Sequence, residues 1–321
     1  MPTNSGLTNS DLNGIILLDK PLGYSSNAIL QRVKKLLGVQ KAGHTGTLDP
    51  DATGMLPICL NEATKVIRFL LDASKAYTVK IALGHTTTTA DAQGSVLLSR
   101  PVAYWSLDKI ESLLTHFRGD ILQVPPVYSA LKQDGKRYYE LARQGRASEI
   151  KRTPRAVHIH KLSLLHYDYQ NENTAFLELM VHCSKGTYIR SLAQDIGEAM
   201  GCGAHVIELR RVFVEPFESY PMLSMEKLVE ICEQGPRAAL DMYLLEPPEA
   251  IAHLEKIEVS PEEYIRLYQG QKISRTTCSH EGWVQLWSQS PDQFFGVGHK
   301  TISGEIVPKR LFKFFNLSEL C

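Results

Sequence analysis

Apolar and polar residues change their spacing repeatedly along the chain, and each spacing predicts an element. Residues 14–19 are a short apolar run, expected of a buried strand. Lys20-Pro21-Leu22-Gly23 turns the chain, and Ser25 or Ser26 can cap a helix. That helix carries Ile29, Val33 and Leu36 on one face and stops at Gly38. Residues 42–54 hold three glycines and one proline and read as a polar loop. Residues 55–60 read as a strand, and 63–71 as a helix with Val66, Ile67 and Leu70 inward. From 77 to 83 the alternation is strict: Tyr77, Val79, Ile81 and Leu83 share one face, Thr78, Lys80 and Ala82 the other. Residues 106–117 form an amphipathic helix, 157–167 and 174–183 a strand pair, 187–200 a helix ended by Gly201, and 204–214 a β-branched strand.

Strands and helices mix without a βαβ rhythm. The fold class is therefore α+β (mixed α/β), with a largely antiparallel central sheet. A boundary falls at Glu246-Pro247-Pro248-Glu249. Residues 1–13 are expected as a flexible tail, 14–248 as the main domain, and 249–321 as a second unit. In the second unit the runs 283–287, 294–298, 305–308 and 311–315, separated by turn residues, predict a small β-barrel or sandwich. A chain cut after Pro248 is expected to leave the main domain folded.

Composition adds limits. Apolar residues make up 43% and charged residues 22% of the 321, as in ordinary globular proteins. No apolar run approaches the ~20 residues of a membrane span, and the N-terminus lacks a signal-peptide core, so a cytoplasmic location is expected. The six cysteines form no Cys-x-x-Cys pair, which argues for reduced thiols and against zinc. Net charge is zero, yet its distribution is uneven. Between 131 and 161 lie nine basic residues (Lys132, Lys136, Arg137, Arg143, Arg146, Lys151, Arg152, Arg155, Lys161) against three acidic ones, a surplus of six. Tyr128, Tyr138 and Tyr139 interleave with them, the mix of a surface that tracks phosphates.

The segment most informative about chemistry is Gly43-His44-Thr45-Gly46-Thr47-Leu48-Asp49-Pro50-Asp51-Ala52-Thr53-Gly54. Pro50 bars Asp49 from the helical region and so presents its carboxylate from a turn or extended backbone. By composition alone an Asp-Pro pair marks only a turn. The loop lacks Gly-Lys-Ser/Thr, so a P-loop reading fails.

This segment resembles the signature of the TruB-type tRNA pseudouridine synthases, which act on the uridine at position 55 in the tRNA T loop. Further motifs follow in the family's order: Leu18-Asp19-Lys20-Pro21 with Gly23-Tyr24-Ser25-Ser26, Lys75-Ala76-Tyr77, and Pro125-Pro126-Val127-Tyr128-Ser129-Ala130-Leu131-Lys132. Ser184-Lys185-Gly186-Thr187-Tyr188-Ile189-Arg190 and Gly203-Ala204-His205 through Leu209-Arg210-Arg211 complete the set. The C-terminal segment is a looser match to the small RNA-binding PUA domain of bacterial members.

The resemblance implies the pseudouridine synthase fold with a PUA-like barrel and an RNA-gripping insertion at about 121–155. It implies a tRNA substrate and requires no cofactor, metal or protein partner; a monomer is expected. Asp49 becomes the catalytic carboxylate. Arg190 becomes its partner, expected to hold it ionised through a bidentate guanidinium. Tyr77 becomes a stacking platform or acid–base group. Tyr188 and Leu209 would line the uridine pocket. His44 would lie beside extruded nucleotides, and Lys20 would support the Asp49 loop. Lys132 and Arg143 are expected to grip phosphates. The chemistry breaks the C1′–N1 bond, turns the uracil and rejoins it through C5. Charge develops at the sugar, where a carboxylate is valuable.

Two positions depart from the pattern. Asp51 stands where leucine is expected, and Thr88 where the family commonly shows aspartate. Asp51 puts a second negative charge near Asp49 and is expected to raise its pKa. Two other readings compete: a tRNA-folding chaperone without catalysis, and a glycosidase-like hydrolase using Asp49 and Asp51.

Overall fold

A computed structural model describes residues 12–234, 238–275 and 280–313. The main elements in chain order are β1 (Gly14–Lys20), α1 (Ser26–Leu37), β2 (Ala52–Leu60), β3 (Lys75–Leu83), α2 (Leu107–Thr115), β4 (Gly119–Gln123), β5 (Arg155–Asn171), β6 (Thr174–Cys183), α3 (Ile189–Ala199) and β7 (Ala204–Val214). They pair in the order β1-β2-β7-β3-β6-β5-β4. Every junction in this row is antiparallel except β2 with β7. The largely antiparallel sheet that the alternation predicts is the one present.

Burial explains the patterns. Ile16 and Leu18 of β1 face a core covered by α1, while Ile15 and Leu17 face a second core on the other side of the sheet. The run is apolar throughout because both of its faces are covered. The alternating face of β3 lies under α2 and α3. Ser25 caps α1 by accepting the Ala28 amide, and Gly38 ends it in the left-handed region at φ 63°.

Several expected boundaries move. The helix expected at 63–71 is a 3-10 turn, Asn61–Val66, followed by a short α-helix, Ile67–Leu71. Thr64 Oγ1 donates to the Asn61 carbonyl at 2.7 Å, one of the local bonds that compete with a regular helical start. The helix expected from 187 begins at Ile189. Strand β2 starts three residues early, at Ala52, because parallel pairing with Leu209–Arg211 extends it.

The second unit holds β8 (Glu255–Val259), α4 (Pro261–Tyr268), β9 (Ile273–Ser274), β10 (Gly282–Gln289), β11 (Asp292–Lys300) and β12 (Glu305–Leu311). They form a five-stranded sheet ordered β8-β10-β11-β12-β9. The separate runs expected at 305–308 and 311–315 are one strand as far as Leu311; Phe315 lies outside the described residues. Pro308 is accommodated where the β11–β12 register shifts, as a residue without an N–H requires.

This unit does not stand apart. Phe294, Val297 and Phe312 share one apolar cluster with Leu17, Met55, Val66 and Phe217. Each such side chain contributes about 1.5–3 kcal/mol on burial. Cutting after Pro248 therefore strips apolar cover from the main sheet, a cost that the expected folding of the shortened chain has to bear. The tail expected over 1–13 lies outside the described residues up to 11, and Leu12 is buried in the α1 core. Cys59, Cys183 and Cys202 are buried thiols and Cys232 an exposed one; Cys278 and Cys321 fall outside the described residues.

Candidate active site

The loop between the short strand Ala42–His44 and β2 carries Asp49, and it is tied down on both sides of that residue. Buried Ser26 Oγ accepts the Leu48 amide at 2.8 Å and donates to the Leu48 carbonyl at 2.9 Å. Gly23 N donates to Pro50 O at 2.9 Å. Lys20 is fully buried, and its Nζ donates to the carbonyls of Tyr24 (2.7 Å), Pro21 (2.9 Å) and Pro50 (3.3 Å). Burial lowers its pKa to about 8, against the opposing pull of Asp51 and Asp49. Lys20 thus welds the opening motif to the Asp49 loop.

Arg190, the second residue of α3, reaches Asp49 from the other side. Its Nη2 lies 3.0 Å from Asp49 Oδ2 and donates to Tyr128 O at 2.8 Å. Its Nη1 donates to Thr89 O at 3.0 Å and to Asp91 Oδ2 at 3.2 Å. The bidentate grip expected on Asp49 is absent: the guanidinium is divided between two carboxylates. Its partners lie on three loops, one with Asp49, one with Thr89 and Asp91, and one with Tyr128, so the fork joins these loops at one point.

Asp91 is a site residue that the sequence reading does not single out, although it lies three residues from Thr88, the second departure from the family pattern. Thr88 itself is exposed, and its amide donates to Ser95 O at 3.0 Å.

Burial raises the pKa of Asp49; Arg190 pulls it down, while Asp91 and Asp51 push it further up. The net shift is upward. An ionised Asp49 is therefore lost, as pH falls, at a higher pH than for an ordinary carboxyl. Replacing Asp51 by leucine removes one negative neighbour. Asp51→Leu is expected to move the acid limb of the single-turnover rate to lower pH. An acid limb that stays in place would show that water screens Asp51 from Asp49.

Asp49, Asp51, Ala52, Asp91, Arg190, Val206 and Leu209 line a cavity of about 40 Å³. Leu209 lies on the apolar side of this cavity wall. Two residues on, Arg211 is the register partner of Tyr77 in the β7–β3 ladder. Tyr77 is buried, and burial raises the pKa of its phenol, against the pull of Arg211. Tyr188 precedes α3, and Gln123 brackets its backbone at 2.7 and 3.0 Å.

His44 is half-buried, and its buried Nδ1 has no hydrogen-bond partner among the described residues. Burial and the nearby Arg211 both lower its pKa, which keeps the imidazole neutral at pH 7.

Lys132 and Arg143 lie outside the cavity, on the insertion between β4 and β5. This insertion has its own small core of Tyr138, Leu141, Ala142 and Ile150. Lys132, Arg137, Arg143, Lys151 and Arg152 are all exposed around it, whereas Arg146 is paired with Glu149. The guanidinium groups of Arg137 and Arg143 sit 5.8 and 5.7 Å from the Tyr139 ring centre.

Comparison with known proteins matches residues 34–189 to the TruB family pseudouridylate synthase N-terminal domain. Residues 190–252 match the tRNA pseudouridylate synthase B C-terminal domain, and 256–312 the pseudouridine synthase II TruB C-terminal domain. The tRNA pseudouridine synthase B of Stutzerimonas stutzeri is 46% identical over 94% of this chain and 96% of its own length. That of Tolumonas auensis is 47% identical over 94% and 93%. Among solved structures, an H/ACA RNP bound to a substrate RNA containing 2′-deoxyuridine aligns with TM-score 0.71 at 24% identity, covering 97% of this chain and 91% of that one. A Cbf5-Nop10-Gar1 complex aligns with TM-score 0.70 at the same identity. These two likenesses show the shared fold.

Proposed function

Because this chain belongs to the TruB family of pseudouridylate synthases, we propose that it converts uridine 55 in the T loop of tRNA to pseudouridine. One observation carries the reading: Asp49 sits on a loop held from below by Lys20 and from the side by buried Arg190, against the wall of Leu209. A carboxylate so held can meet the positive charge that develops at the sugar as C1′–N1 breaks. On this reading Tyr77 and Tyr188 would receive the extruded uracil, and His44 would meet the neighbouring nucleotides as they rearrange. The base is neither oxidised nor released, so the reaction requires no cofactor. On this reading the protein works alone in the cytoplasm.

The test is incubation with an unmodified tRNA transcript, then chemical mapping of pseudouridine. A single modified position in the T loop is expected. Free uracil would point instead to a hydrolase, and an unmodified T loop after full binding to a chaperone; either outcome overturns the proposal.

On the same reading the insertion grips the RNA backbone. Affinity should fall with about one unit of log–log salt slope per phosphate contact. Replacing Lys132, Arg143 and Arg152 by glutamine is expected to flatten that slope by two to three units, on the order of one per contact. An unchanged slope in a filter-binding titration would make the insertion an ordinary solvated surface.

A further inference from the structure

Among the described residues, Arg211 is the bulkiest side chain that is buried almost completely, at 1% exposure. No carboxylate among the described residues pairs with it. Its Nε donates to Met55 O at 2.6 Å and its Nη2 to Gly46 O at 3.2 Å. Its register partner across the β7–β3 ladder is Tyr77, so the two side chains project from the same face of the sheet and the guanidinium charge acts on the phenol. On its other side the Arg211 backbone packs tightly against β2. A side chain at Gly54, where φ is +100°, would place its Cβ 2.1 Å from Arg211 O. A second cation, Lys75, lies close by: a Cβ at Gly46 would fall 3.5 Å from Lys75 Cε and 3.6 Å from Arg211 Nη1.

A buried guanidinium with no anionic partner is costly in a fold. Carbonyls accept two of its hydrogen bonds but do not neutralise its charge. The acidic group that acts on it among the described residues is the Tyr77 hydroxyl.

We infer that Arg211 is a positioning residue for the reaction, fixing the Tyr77 hydroxyl and stabilising it as a transient phenolate that carries one proton from C5 to N1 of the uracil. The inference rests on the acid–base role read for Tyr77. When the C1′–N1 bond breaks, its electron pair stays with the uracil, and the Tyr77 proton passes to N1. This leaves a phenolate against Arg211. The base turns, and the C5–C6 π pair forms the new bond to C1′, leaving C6 electron-poor beside N1. The phenolate then takes the C5 proton, and the C–H pair restores the C5–C6 double bond. Tyr77 ends as it began. The product carries hydrogen on N1 in place of C5, as an isomerisation requires. Turning the uracil about its N3–C6 axis exchanges the places of N1 and C5, so a single hydroxyl can serve both steps.

The experiment uses the full chain and tRNA deuterated at C5 of the target uridine, in single turnovers with enzyme in excess. Arg211→Lys keeps the charge; Arg211→Met removes it. The expected result is a loss on the order of 10²-fold or more for the Met variant and a smaller one for Lys. In both, the C5 deuterium isotope effect should rise above that of the parent enzyme. Combining Arg211→Met with Tyr77→Phe should slow the reaction no further than Tyr77→Phe alone. Losses that add, with an unchanged isotope effect, would overturn the inference and leave Arg211 as an anchor for the loop at Gly46. Should Arg211→Met fail to fold, the isotope effect of Arg211→Lys decides. Tyr77→Phe at parent speed would instead remove the reading of Tyr77 on which the inference stands.

Discussion

Asp49→Asn is expected to bind tRNA as the parent does and to form no detectable pseudouridine. Asparagine keeps the size of the side chain and most of its hydrogen-bonding capacity. The Ser26, Gly23 and Lys20 bonds that shape the loop all end on the backbone of Leu48 and Pro50, so they survive the change. Arg190 retains Asp91, Thr89 O and Tyr128 O. What disappears is the negative charge at the one point where positive charge develops. A loss of a single electrostatic contact to a transition state is ~10²–10³-fold, and a carboxylate that reacts directly contributes more. Single turnovers with excess enzyme measure the rate, and thermal unfolding checks that the fold is intact. Turnover close to the parent rate in the pure variant would remove Asp49 from the chemistry.

Tyr77→Phe separates two roles that a buried tyrosine can hold. As a platform for the extruded base it needs only its ring. As an acid–base group it needs the hydroxyl, whose contribution is typically ~10²–10⁴-fold. Burial raises the phenol pKa, so the hydroxyl enters the reaction protonated, and the Arg211 charge favours its ionised form. Tyr77→Phe is therefore expected to keep tRNA affinity and lose at least about 10² in rate. Tyr77→Leu should lose that rate and also ~1–3 kcal/mol of stacking. Equal rates for tyrosine and phenylalanine would leave only the platform.

Much of the frame was legible in the residues. The alternation of β3, the Ser25 and Gly38 caps of α1 and the unbroken apolar run of β1 depend on local backbone chemistry and on which faces are covered. Periodicity reports both. Boundaries set by pairing were not legible. Strand β2 begins at Ala52 because a partner some 150 residues away offers hydrogen bonds there. The 3-10 start at Asn61 turns on bonds that composition does not rank.

The site divides the same way. Sequence alone determined the Asp-Pro loop, the order of the motifs and hence the family, with Asp49, Arg190 and Tyr77 as the residues to examine. Those signals are local: a residue type at a fixed spacing. Tertiary structure decided how the charges are shared. Arg190 divides itself between Asp49 and Asp91 because separate loops meet at the start of α3. Arg211 stands under Tyr77 because two strands pair in one register. The second unit is joined to the main sheet by a common core. Each of these depends on a distance between residues far apart in the chain, and on the field created once water is excluded, and neither quantity is written in the order of the residues.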